Sequence, residues 1–332
     1  LPIIRTPVGG IPDFLKNEET GLFARVDDPE DLARQIERLL TDEPLRARLI
    51  KNGMALVAER FRWEKIAGEI DSIFSELFRS RIIVATGIFP PAIGGPATYT
   101  QFLMDYEQDI GIYPTIVVTY GDEKTKDWDG KVCVVSNSLP KGIRHIAYRK
   151  KLLEHVRVGD IIYAVDSSLG VAGIVQNVAA KVDAMCIVRV TGDYAWEQSR
   201  QRFGVREDID AFQTRRYGTV VETFRSTVHR AIQKADWVIV PSEYLKKLAM
   251  GWGVDAKRIT VISNPVTVYP LPSDSREKAR STLNVRDKKV IISSGRFVPW
   301  KGFQELIQIF PSIKNEIKNA ELVLIGDGPD QA

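Results

Sequence analysis

The stretch RIIVATGIFPPAIGGPATYTQFL, residues 81–103, decides how the rest of the chain is read. A continuous apolar run, 81–85, passes through a Gly- and Pro-rich loop into a segment with helical character from residue 96. A strand that is apolar at every position, without alternation, is one buried on both faces, as in a parallel sheet. The same pattern recurs downstream, with strands expected at 115–119, 132–135, 161–164, 184–190, 237–240 and 259–262. Helices are expected at 96–109, 168–180, 208–234 and 242–251. Strands alternating with helices argue for a doubly wound α/β sheet.

Outward from this block the chain changes character at SNPVTVYPLPSDS, residues 263–275, a Pro- and Ser-rich stretch of linker type. Beyond it, a helix is expected at 276–283, a strand at 290–293, a helix at 303–317 and a strand at 321–325. Two strands and their helices make a poor free-standing domain. The opening segment has a complementary set: a strand at 2–5, a short strand near 22–23, and helices at 29–41, 44–60 and 63–78. Asp28-Pro29 is a helix start, with a cap residue followed by proline at the first helical position. The expectation is therefore two α/β domains, the second split between the chain ends and incomplete: 1–79, 80–265 and 266–332.

Composition excludes several classes. The 332 residues carry 44% hydrophobic and 27% charged side chains and a net charge of +3, which makes no case for bulk nucleic-acid binding. The two cysteines, Cys133 and Cys186, lie in apolar runs and suggest reduced core thiols in a cytoplasmic protein. The three histidines, His145, His155 and His229, are scattered and suggest no metal cluster. No apolar run reaches membrane-spanning length, and residues 1–20 contain no signal-peptide core. The missing initiating Met points to a fragment or trimmed chain.

Chemistry is expected at strand ends. Gly94 and Gly95 let backbone approach a ligand, and the helix that follows offers free N–H groups to an anion; the plainer alternative is an ordinary turn. Arg296 and Lys301 follow a strand and precede a helix, where two cations suit a diphosphate. Their alternative is two solvated loop cations. Gly9 and Gly10 offer another close approach, and Gly326 to Gly328 a weaker one. Asp166 and Asp193 end strands and could bind a sugar hydroxyl or assist proton transfer; each could equally cap a helix or turn. Trp196 and Glu197 adjoin Asp193. The basic, aromatic-interleaved segment 200–234 reads either as a face for an anionic membrane carrying a lipid-linked acceptor or as a solvated helix with its aromatics turned inward.

Taken together, FPPAIGGPATYT, GRFVPWKGFQELI, ELVLIGDGP and PVGGIPDFLKNEETGLFARVDDPEDLARQI resemble family-4 retaining glycosyltransferases of the two-Rossmann GT-B fold. The resemblance implies transfer of a sugar from a nucleotide-diphosphate sugar to a sugar or lipid-linked acceptor, with retention and with no metal or other cofactor. It also implies work on cell-envelope polysaccharide in the cytoplasm or at the inner face of the membrane. It places Gly94 and Gly95 near the donor phosphates, Arg296 and Lys301 on the departing diphosphate, and Asp166 at the family's acidic or histidine position in the cleft.

The order of parts departs from the family. There, the half beginning GRF…KGF runs past IGDGP through further strands to a helix bearing two glutamates separated by seven residues, and only then reaches the PVIxTxxGGxP motif. Here PIIRTPVGGIP stands at residue 2, and no two glutamates lie eight positions apart. At about 30 residues per strand-helix-strand unit, roughly 50–90 residues are missing. A fusion of two neighbouring family members and a circular permutation both account for this order. A non-catalytic nucleotide- or partner-binding remnant and a nucleotide-sugar epimerase are the alternative functions.

Overall fold

The computed structural model describes residues 1–77, 81–110, 114–125, 128, 130–266, 275–298 and 301–328. The chain divides into two compact units, Phe61–Val266 and a unit made from both ends, Leu1–Arg60 with Thr267–Ala332.

The first part of the end unit holds strand β1 (Ile4–Arg5), the short helix α1 (Ile11–Phe14), strand β2 (Leu22–Phe23) and helices α2 (Pro29–Thr41) and α3 (Glu43–Arg60). β1 and β2 pair in parallel, Ile4 opposite Leu22. The Asp28 carboxylate accepts from the Asp31 amide at 2.8 Å and Pro29 opens α2, so the start of this helix is the one the Asp-Pro pair announces. Leu22, Leu39, Leu45 and Leu49 join β2, α2 and α3 in one apolar cluster.

Helix α4 (Trp63–Leu77) packs in the larger unit, where Ile66 and Ile70 sit in the main core. The division between units thus falls at residue 60, ahead of the joint expected after residue 79; residues 78–80 lie outside the described residues. The larger unit continues with β3 (Ile82–Thr86), α5 (Gly95–Ile110), β4 (Pro114–Gly121), β5 (Val132–Ser136), α6 (Lys141–His155), β6 (Ile161–Ala164), α7 (Ala172–Val182) and β7 (Met185–Arg189). It closes with α8 (Tyr194–Arg202), α9 (Ile209–Thr214), α10 (Thr219–Gln233), β8 (Trp237–Val240), α11 (Glu243–Gly251) and β9 (Ile259–Val261). The seven strands form one sheet in the order β5-β4-β3-β6-β7-β8-β9, every adjacent pair parallel.

All residues of β3 and β6 are buried, as the unbroken apolar runs require. From β3 the chain moves outward through β4 to β5, then returns to the other side of β3 as β6. That reversal opens a crevice at the carboxyl ends of β3 and β6. The single helix expected at 208–234 is instead α9 and α10, because Arg215 is extended and Gly218 takes the extended cap of the next helix. Helices α6 and α8 were not among those expected.

The last segment returns to the end unit with α12 (Ser275–Thr282), β10 (Lys289–Ser294), α13 (Phe303–Glu316) and β11 (Ala320–Ile325). β10 and β11 pair in parallel along six positions. Ile36 of α2 shares a core with Leu306, Ile313 and Ala320, and Ile4 and Ile291 pack on its border. The Lys289 ammonium donates to the Leu40 carbonyl at 3.3 Å. The two ends of the chain therefore bury one another's apolar faces. Among the described residues of this unit the strands form two separate pairs, β1-β2 and β10-β11.

Candidate functional site

The crevice of the larger unit is built around Asp166, just past β6. One carboxylate oxygen accepts from the Gly87 amide at 2.8 Å, the other from the Ser168 amide at 3.0 Å, so the side chain ties the loop after β3 to the loop after β6. A Cβ on Gly87 would stand 3.1 Å from Asp166 Oδ2, so only glycine gives this approach without displacement. Burial raises the Asp166 carboxyl above its ordinary value, opposed by the hydrogen bonds from Ser168 and Gly87. The turn-capping alternative describes the contacts Asp166 makes; it remains half-buried at the mouth of the crevice.

Gly94 and Gly95 close the same loop. Gly95 begins α5, and a Cβ there would meet nothing within 4 Å, which leaves open space over the helix start. Across the crevice, the Tyr120 hydroxyl donates to the Gly170 carbonyl at 2.7 Å, and a Cβ on Gly170 would stand 3.3 Å from His145 Nε2. Burial, with Arg144 and Lys141 nearby, holds the His145 imidazolium below the ordinary histidine range. The Arg144 guanidinium lies 5.2 Å over the Tyr120 ring. The positive charge on the α6 side of the crevice is that of Arg144 and Lys141, which disfavours a second cation at His145.

Asp193 differs from Asp166. It is only 1% exposed and caps α8, accepting from the Trp196 amide at 3.1 Å and from the Gln213 side chain at 2.9 Å. Gln213 in turn accepts from the Trp252 indole at 2.8 Å, and Trp252 stacks on His229 with ring centroids 4.6 Å apart. Each group in this network fixes its neighbour, and Asp193 faces no solvent from which a substrate could reach it. Glu197 lies by the same turn: a Cβ on Gly192 would stand 2.8 Å from its Oε1.

Sequence reasoning passed over Arg189, the last residue of β7. It is buried, donates to Asn264 Oδ1 at 2.5 Å and stacks over the Tyr99 ring at 3.7 Å. Its partners come from distant stretches of chain, and no local pattern signals them.

In the end unit, Arg296 and Lys301 lie in the loop between β10 and α13, both exposed. Among the described residues no carboxylate forms an ion pair with either. Gly302 caps α13 in the left-handed region at φ 72°, so the loop turns into the helix immediately after Lys301. The loop after β11 lies backbone to backbone on this one: a Cβ on Gly326 would collide with the Gly295 carbonyl, and one on Gly328 with Phe297. The amide of Phe297 donates to the Asp327 carbonyl at 2.9 Å, which fixes the two loops together. Gly9, at φ 60°, and Gly10, the cap of α1, occupy the loop after β1 in the same unit.

The structure thus gathers Gly94, Gly95 and Asp166 at the crevice of the larger unit. It sets Arg296, Lys301, Gly9 and Gly10 in strand-end loops of the end unit. Asp193 is closed into the core. Among the described residues, no group of three His, Cys, Asp or Glu side chains is placed to hold a metal ion.

The two ends of the chain match one family model, glycosyl transferases group 1, over residues 1–55 and 274–332. These are the segments that share the end unit's core. Curated relatives include N-acetyl-alpha-D-glucosaminyl L-malate synthase of Bacillus anthracis, 35% identical over 79 residues (24% of this chain and 21% of that protein). D-inositol 3-phosphate glycosyltransferase of Streptomyces bingchenggensis is 36% identical over 78 residues, 24% of this chain and 17% of that protein. The capsular polysaccharide biosynthesis glycosyltransferase CapM of Staphylococcus aureus is 33% identical over 79 residues, 24% and 21%. The chain therefore spans about a fifth of the length of the curated relatives it matches.

Among solved structures, Anabaena Alr3699/HepE in complex with UDP and glucose has a TM-score of 0.53 at 16% identity, covering 75% of this chain and 62% of that one. The catalytic domain of Arabidopsis thaliana starch synthase IV bound to ADP and acarbose has a TM-score of 0.51 at 14% identity, covering 75% and 69%. At these identities the likeness is one of fold, and it is the α/β fold of GT-B glycosyltransferase structures.

Proposed function

We propose that this chain is a glycosyltransferase that takes a sugar from a nucleotide-diphosphate donor and passes it, with retention, to a sugar or lipid-linked acceptor. The observation that carries this reading is the loop after β10. It lies in a segment matched by the glycosyl transferase model and presents Arg296 and Lys301 without an ion-pair partner among the described residues. Arg296 grips the diphosphate through its planar fork and Lys301 adds a point charge, so both stabilise charge that grows as the nucleotide leaves. Gly9 and Gly10 give the loop after β1 of the same unit a close backbone approach to a ligand, and Gly94 and Gly95 give the crevice of the larger unit, taken by itself, another. Asp166, half-exposed there, faces the acceptor; Asp193 acts as a positioning residue by holding α8. The shared core of the two ends supports reading them as complementary pieces of one donor-binding domain in altered order.

A second reading, a nucleotide-binding remnant without turnover, is favoured by the separation of β1-β2 from β10-β11 and by the absent glutamate pair. Calorimetric titration of the full chain with uridine and guanosine diphosphates tests both. One of the two nucleotides is expected to bind, and R296A/K301A to weaken it by roughly tenfold or more, the loss of two charge-assisted contacts. No heat with either nucleotide would sink donor binding. Binding without sugar transfer would leave the remnant.

A further inference from the structure

Of the two cysteines expected as core thiols, only Cys186 lies in the core, 2% exposed. Burial, with Asp236 nearby, pushes its thiol up to about 12, which leaves it protonated and inert. Cys133 stands half-buried in β5, the outermost strand of the large sheet. Its Sγ lies 3.2 Å from Nε2 of His155, in the last turn of α6. That is hydrogen-bond contact between a thiol and an imidazole, the pairing that activates a weak nucleophile.

The surroundings hold this pair and charge it. Buried Tyr148 and Leu152 anchor α6, and the Arg81 guanidinium donates to the His155 carbonyl at 3.2 Å, so the imidazole is fixed where the thiol meets it. His155 is the last residue of α6, where the unpaired carbonyls of the helix end favour an imidazolium. Lys151, one turn earlier, pairs with Glu154 at 3.0 Å. Its ammonium is raised above the ordinary lysine range chiefly by that pair and further by Cys133, which places a cation within electrostatic reach of the sulfur. The other charges nearby are Lys131, two residues ahead of Cys133, and Arg81, paired with Asp160 at 2.6 Å. The first turns of α6 carry His145 beside the loop after β6. His155, at the other end of the helix, therefore lies at the amino edge of the sheet, away from the crevice of Asp166.

We propose that Cys133, with His155 as its base, is a thiol-modification site that takes a low-molecular-weight disulfide. His155 Nε2 accepts the thiol proton, and the thiolate attacks one sulfur of the incoming disulfide. A sulfur–sulfur bond to Cys133 forms as the incoming one breaks. The other half leaves as a thiolate and takes the proton from the imidazolium, so one chain and one disulfide give one mixed disulfide and one small thiol. The exchange needs no donor nucleotide and no sugar transfer, so it stands or fails apart from the proposed function.

The test is reaction of the folded full chain with hydroxyethyl disulfide, read by intact mass and peptide mapping. Wild type is expected to take its adduct on Cys133, at least about a hundredfold faster than on Cys186, and C133S to take none in that time. H155Q is expected to react about fivefold more slowly near neutral pH. In alkaline solution, where hydroxide ionises the thiol without the base, it should match wild type. Thermal melts verify the folding of each variant. The wild-type rate alone also decides: it should level off at a lower pH than the rate of Cys133 in the urea-unfolded chain. Cys186 reacting first, no adduct on Cys133, or folded and unfolded profiles that coincide would each overturn the proposal. So would an H155Q rate equal to wild type near neutral pH, or a deficit in H155Q that persists in alkaline solution.

Discussion

The two units contain strands of similar composition in different states of completion. In the larger unit β3 and β6 are buried at every position, with neighbours on both edges and helices on both faces. In the end unit, among the described residues, β10 and β11 pair only with each other, and Ile292 and Ile325 stand 44% and 53% exposed. An apolar run makes a parallel strand, but only neighbouring strands and covering helices make it a buried one. What holds the end unit together is therefore less its sheets than its helices, α2 packing on α13 through Ile36, Leu306 and Ile313.

This contrast breaks most readily in the core. Ile161→Ala, at a position 1% exposed, is expected to destabilise the larger unit by about 2–5 kcal/mol. Ile292→Ala, the same chemical change in β10, is expected to cost less than about 1 kcal/mol, since little apolar area leaves water there. Denaturant titrations of the two variants measure both. Equal losses would mean that β10 is covered as well as β6, and the comparison would fall.

A smaller effect sharpens it. Asp166 belongs to the larger unit, and burial raises its carboxyl above the ordinary value. A folded-state value above the unfolded one means that the folded state holds the proton more tightly. The stability Asp166 contributes is then fully present below the ordinary carboxylate range and is lost as pH rises through the raised value. Thermal melts across that window should show wild type losing stability relative to Asp166→Asn as pH rises, in the transition of the larger unit. Parallel pH profiles for the two proteins would exclude a raised carboxyl.

Much of this architecture was legible in the sequence, because continuous apolar runs and Gly- or Asp-bounded ends announce parallel strands directly. Asp28-Pro29 announced α2 as well. Helix α6 was not legible, because Ile143 and Ile146 face outward and blur the apolar stripe that periodicity seeks. The break between α9 and α10 was missed because Arg215 and Tyr217 fit a helical pattern while Gly218 supplies the extended cap. At the site, two aspartates following strands looked alike in sequence. Only tertiary structure separates Asp166, bridging two loops at the crevice, from Asp193, buried beneath Gln213. Arg189 shows the same limit, since its stacking on Tyr99 joins segments far apart in the chain.

The central claim is that the two chain ends fold as one unit, which carries the cations proposed for the donor. Amide hydrogen exchange on Leu306→Ala tests it most directly, because Leu306 lies in α13 while its packing partners in α2 are at the other end of the chain. Loss of protection in α2 together with α13 and β10, and none in β3 or β6, is the result predicted. Unchanged protection of α2 in that variant would contradict it.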